Sequence, residues 1–158
     1  MSDEAEQPIV WIHGDSLDPN GPALRRCPDA PRVFVFDDEV LERYRISLKR
    51  IVFIYECLLE IEGIEVRRGG VAAELAVAAG EHGARRIVTV ESVTPRFARI
   101  CHDLRERYRL AVEVLPLEPF ISLARGEAER LDLKRFSRYW QPLKRRALSL
   151  NRSFDELI

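Results

Sequence analysis

Five short apolar runs, at residues 9–12, 32–37, 64–66, 86–90 and 111–115, alternate with stretches of helical period along nearly the whole chain. Runs of this length are too short for helices and match strands. The second, Arg32-Val33-Phe34-Val35-Phe36-Asp37, is apolar at consecutive positions, so both of its faces must be covered. Strands buried on both faces and separated by helices belong to parallel sheets with helices on either side. The fold class is therefore α/β, a doubly wound five-stranded parallel sheet with right-handed crossovers.

The first run, Ile9 to Ile12, breaks into His13-Gly14-Asp15 and restarts as a short helical turn at Pro22. A turn leaving the carboxyl end of a strand is where open α/β sheets bind ligands. Further helices are expected over 42–62, over 71–82 with Gly83 as the stop, from Thr94-Pro95 to about 108, and over 133–148 with a kink at Pro142. The helix over 42–62 has two apolar stripes. Leu48, Ile51, Val52, Tyr55, Leu58 and Leu59 form one, and Phe53, Ile54, Cys57 and Ile61 the other. One stripe suffices to cover a sheet. The second is either buried in the same core or, with Phe136, Tyr139, Trp140 and Phe154, meets a second subunit or a partner.

The 158 residues suit one domain, and 46% apolar with 32% charged residues suits a folded core rather than a disordered chain. Residues 8–150 are assigned to the domain, with tails at 1–7 and 151–158. No apolar run reaches the roughly 20 residues of a membrane span, and the acidic start lacks the regions of a signal peptide. A cytoplasmic location is expected, with Cys27, Cys57 and Cys101 as reduced thiols. The net charge of −1 gives no global pull toward nucleic acid, and the basic positions from Lys134 to Arg146 read as a solvated helix face.

Candidate site residues lie where strands end. His13, Gly14 and Asp15 follow the first strand. Asp15 either accepts ring or ribose hydrogen bonds from a ligand or closes its own turn. Phe36, Asp37 and Asp38 end the second strand, where the acidic cluster Asp37-Asp38-Glu39 either binds a cation or ribose or serves as a solvated turn or helix cap. Glu91 and Ser92 end the fourth strand and face the same switch point as His13. Gly69-Gly70 is too short for a phosphate loop. Cys101-His102-Asp103 is no nucleophile set, because neighbours on a helix point about 100° apart. No metal site is expected, and catalysis is the weakest of the functional readings.

Several of these segments resemble the DNA photolyase/cryptochrome family. Trp11, Asp15, Pro22, Ala23 and Leu24 follow its opening W-F-R-R-D-L-R-L-x-D-N-P-A-L without a gap. In this chain His13 and Gly14 stand where that motif has its first two arginines. The run Val33-Phe34-Val35-Phe36-Asp37 through Leu41 is similar to V-F-V-F-D-P-x-x-L, and Leu59 to Gly63 to the family's L-x-x-x-G. Pro95 opens a helix after the fourth strand, and Phe136-Ser137-Arg138-Tyr139-Trp140 resembles F-T-P-F-x.

The resemblance covers the family's amino-terminal α/β domain and implies a Rossmann-like strand order of 3-2-1-4-5. In the family that domain carries a light-harvesting antenna, where there is one, and the catalytic flavin sits in a helical carboxyl-terminal domain. The sequence ends at Ile158, before that domain would begin. The expectation is a stand-alone module binding a flavin-like antenna or a nucleotide at His13, Gly14, Asp15, Phe36, Asp37, Asp38, Glu91 and Ser92, and not a complete photolyase. The alternative is an interaction scaffold that dimerises or docks a separately encoded flavin-binding partner.

Overall fold

The computed structural model describes residues 7–117, 121, 123–132 and 134–149. The expectations for residues 1–6 and 151–158, Phe154 among them, lie outside the described residues. Two compact units divide at Leu117.

The first unit is a sheet of five parallel strands: β1 (Ile9–Ile12), β2 (Arg32–Asp37), β3 (Ile64–Gly69), β4 (Arg86–Val90) and β5 (Ala111–Leu115). Their order is β3-β2-β1-β4-β5, and every pairing is parallel. The fold is thus Rossmann-like, as expected. The most apolar strand occupies the centre, and all four β1 residues are buried. Alternation along β1 and β2 divides the core between the two faces. Ile9, Trp11, Val33 and Val35 face one helix layer, while Val10, Ile12 and Phe34 face the other.

On the first face lie α4 (Val71–Glu81) and α5 (Pro95–Glu106). Leu75, Ala78 and Ala79 of α4 and Cys101 and Leu104 of α5 close that core. The alanines let α4 approach the strands closely. Gly83, at φ 64°, ends this helix as only glycine does without strain, and the Ala84 amide closes the turn on the Ala79 carbonyl at 2.8 Å. On the second face, Ala23 and Leu24 of α1 (Pro22–Arg26) and Leu58 of α3 (Leu48–Leu59) pack on Val10, Phe34, Val88 and Val90.

The single helix expected over 42–62 is two helices. Between β2 and α3 lies α2 (Asp38–Arg43), and the chain turns at Tyr44 to Ser47. Arg45 takes a left-handed φ of 45°, a conformation worth about 1–3 kcal/mol of strain for a residue with a Cβ. The Ser47 hydroxyl then accepts the Arg50 amide at 3.4 Å and caps α3.

The break changes which stripe is inside. Leu58 and Ile61 are buried and Ile54 is partly buried, whereas Leu48, Val52, Tyr55 and Leu59 are exposed. Of the stripe expected to face a partner, only Phe53 is exposed; Ile61 is core, and Ile54 and Cys57 are half-buried.

The second unit contains α6 (Glu127–Arg130) and α7 (Phe136–Ser149). Glu127 accepts from Arg146 at 2.5 Å, and Asp132 from Arg138 at 2.9 Å. Pro142 lies inside α7 and does not end it. No helix among the described residues is long and apolar enough to cross a membrane.

Candidate functional site

The chain runs β1, β2, β3 toward one edge of the sheet, then returns to place β4 on the other side of β1. The switch point lies between the carboxyl ends of β1 and β4. Here the ladder registers Ile9 with Ile87 and Val10 with Val88, and the buried Thr89 hydroxyl donates to the Trp11 carbonyl at 2.9 Å. At this end of the sheet opens a cleft of about 1000 Å³, extending over β2 to α2, the start of α3 and the start of α5.

An aromatic group forms its inner wall. Trp11 stacks on Phe97 of α5 with ring centroids 5.4 Å apart and an interplanar angle of 16°. The His13 imidazole lies edge-on to Trp11 at 5.3 Å and tilted against Phe97 at 5.4 Å. Phe36 extends the wall and packs edge-on to Phe34 at 5.0 Å.

His13 has both ring nitrogens engaged. Nε2 lies 2.8 Å from the Val90 carbonyl and Nδ1 3.3 Å from the Asp15 amide. Only the neutral tautomer with the proton on Nε2 donates to the first and accepts from the second. Burial lowers its pKa from the ordinary value, against the opposing pulls of the Val90 carbonyl and the Asp15 carboxylate. His13 therefore joins β1 to β4 as a neutral strut, with no lone pair left for a general base.

The loops after β1 and β4 are tied together in front of it. The Ser92 hydroxyl donates to Asp15 Oδ2 at 2.5 Å and lies 3.0 Å from the Thr94 hydroxyl. Gly14 sits in the same lip. A Cβ built there meets nothing within 4 Å.

Asp37 has two partners. One oxygen accepts the Glu39 amide at 2.9 Å, capping α2, and the other pairs with the Arg96 guanidinium. Both side chains are largely shielded from water. Burial and the neighbouring Arg99 lower the pKa of Arg96, and Asp37 is the counter-charge that accompanies it.

Six of the eight sequence-derived candidates line the cleft: His13, Gly14, Asp15, Phe36, Asp37 and Ser92. Two do not. Asp38 turns to Arg68 on β3, at 2.6 Å. Glu91 turns to β5, where its side chain accepts the Leu117 amide at 2.9 Å and its own amide donates to the Leu115 carbonyl.

Sequence reasoning missed the cations. Arg43, Arg50, Arg96 and Arg99 all line the cleft, against the two carboxylates Asp15 and Asp37. Arg43 lies 3.4 Å from Glu39, Arg99 lies 4.0 Å from the same residue, and Arg50 has no carboxylate partner among the described residues. The available signal was Arg96 and Arg99, one turn apart at the start of a helix that follows a strand.

The arrangement is suited to binding. It offers aromatic surface, a surplus of guanidinium groups and the Asp15–Ser92 polar pair. Among the described residues no three His, Cys, Asp or Glu side chains converge as a metal site requires. Cys101 is buried on the sheet side of α5, where burial raises its thiol pKa against the opposing pull of Arg105, and His102 and Asp103 face solvent. No protein-family model matches the chain, and comparison with curated proteins finds no match.

Proposed function

We propose that the cleft binds a planar aromatic ligand carrying an anionic group, of the flavin-nucleotide or nucleotide class. The chain would then act as a binding or accessory module of the kind found in the amino-terminal domain of photolyases and cryptochromes. One observation carries this reading: four arginines and an aromatic wall line the same cleft at the switch point of the sheet. The guanidinium groups suit phosphate, which they bind through paired hydrogen bonds, and Phe36 and Phe97 suit a ring. Asp15 and Ser92 suit ribose or ring-edge contacts. The test is titration of the purified protein with flavin mononucleotide and with adenosine monophosphate, read by calorimetry. Saturable one-to-one binding of either supports the reading, and no heat from both at millimolar concentration overturns it.

A second reading, a scaffold that joins a second copy or a separately encoded flavin-binding partner, draws on the exposed apolar side of α3.

A further inference from the structure

Leu48, Val52, Tyr55 and Leu59 follow one another at spacings of four, three and four residues. That is the period of a helix–helix seam. The helix already packs on the sheet through Leu58, about a quarter-turn round from these residues, so their side of it should be polar. Instead they are 74%, 45%, 49% and 68% exposed. A continuous apolar ladder therefore runs the length of α3, with nothing described against it.

The flank of the ladder says what fits there. Lys49, Glu56 and Glu60 lie along its solvent side, basic at the amino end of α3 and acidic at the carboxyl end. We infer that this face takes a second copy of the same chain, with the two α3 helices antiparallel about a twofold axis midway between Val52 and Tyr55. Val52 then meets Tyr55 of the partner subunit, and Leu48 meets Leu59 of the partner subunit. Lys49 falls between Glu56 of the partner subunit and Glu60 of the partner subunit, twice over by symmetry. In a parallel pair the two charged flanks lie on opposite sides of the seam and do not meet, so only the antiparallel pairing brings these charges together. A single helix pair covers less than the roughly 800 Å² per partner of a standard interface, so the association belongs in the micromolar range.

This inference builds on the second reading above and does not depend on any ligand. Sedimentation velocity of the full chain from about 1 to 200 μM, without ligand, tests it. A concentration-dependent dimer is expected. Leu59→Glu should weaken it at least about tenfold, and Val52→Lys should do the same. Both positions are exposed in the single chain, so the thermal unfolding of each variant reports whether folding is intact. Lys49→Glu should also weaken the dimer, and adding Glu56→Lys and Glu60→Lys to it should restore the association. A monomer throughout the range overturns the proposal, and so does a dimer unaffected by both Leu59→Glu and Val52→Lys. Failure of the charge-exchanged variant to recover overturns the antiparallel pairing. Calorimetry with flavin mononucleotide reads the cleft separately, so the two proposals fail independently.

Discussion

The Ser92 hydroxyl donates to Asp15 Oδ2 at 2.5 Å, joining the loop after β4 to the loop after β1 across the switch point. The two residues are far apart in sequence and meet only because β1 and β4 are adjacent. Both are accessible to solvent, so their hydrogen bond should contribute little to global stability. Ser92→Ala should leave the denaturant midpoint unchanged within error. Amide exchange should quicken locally at residues 13–16 and 91–94, where the tie is lost.

His13 gives the unit a pH dependence of known sign. Its pKa is lowered in the folded chain by burial, so the unfolded chain binds the proton first as pH falls below the ordinary value of about 6.5. The stabilisation linked to neutral His13 is fully present above that pH and declines from there toward the folded-state pKa. Comparison of wild type with His13→Gln by urea unfolding between pH 8 and pH 5 isolates this term. The variant's stability should fall less steeply over that window.

The strands were legible in the sequence because each is a short apolar run stopped by Gly, Pro or acidic residues. The bounds at 9–12, 32–37, 86–90 and 111–115 agree with the structure. Strand β3 runs on to Gly69, since an edge strand accommodates Arg67 and Arg68 and shows no apolar signal there. The break between α2 and α3 was not legible. Apolar periodicity passes through Tyr44 and Ile46, and a left-handed Arg45 has no sequence signature. That break also brings Arg43 and Arg50 to the cleft, so the cationic side of the site was hidden with it. Glu91 and Ser92 show a second limit. Neighbours at a strand end diverge, and which one faces the cleft is decided by the loop that follows.

Asp37 combines a cap with an ion pair, and substitution separates them. Asp37→Asn keeps the cap to the Glu39 amide and loses the charge opposite Arg96. Asp37→Ala loses both and should be less stable than Asp37→Asn by about 1 kcal/mol, the usual value of an N-cap. Denaturant melts of the two variants provide the comparison.

Among the described residues Thr89 is the polar one of the fully buried side chains, and its hydroxyl donates to the Trp11 carbonyl. Thr89→Val keeps the shape and leaves that carbonyl without its donor, at a cost of about 1–2 kcal/mol. Thr89→Ser keeps the hydroxyl and loses one methyl, so it should preserve the hydrogen bond. The two melts distinguish hydrogen bonding from packing at this position.

One calorimetric comparison checks the proposed binding of an anionic aromatic ligand in the arginine-lined cleft. Flavin mononucleotide and riboflavin share a ring and differ in the phosphate. Arg50 has no carboxylate partner among the described residues, and Arg99 is the more weakly paired residue beside Arg96, so Arg50→Gln and Arg99→Gln should fold normally. Flavin mononucleotide should bind wild type at least about tenfold more tightly than riboflavin, an advantage that falls with salt. Each arginine variant should lose most of that advantage while keeping its weak affinity for riboflavin. Equal affinity for the two flavins, or phosphate-dependent binding unchanged in both variants, would contradict it.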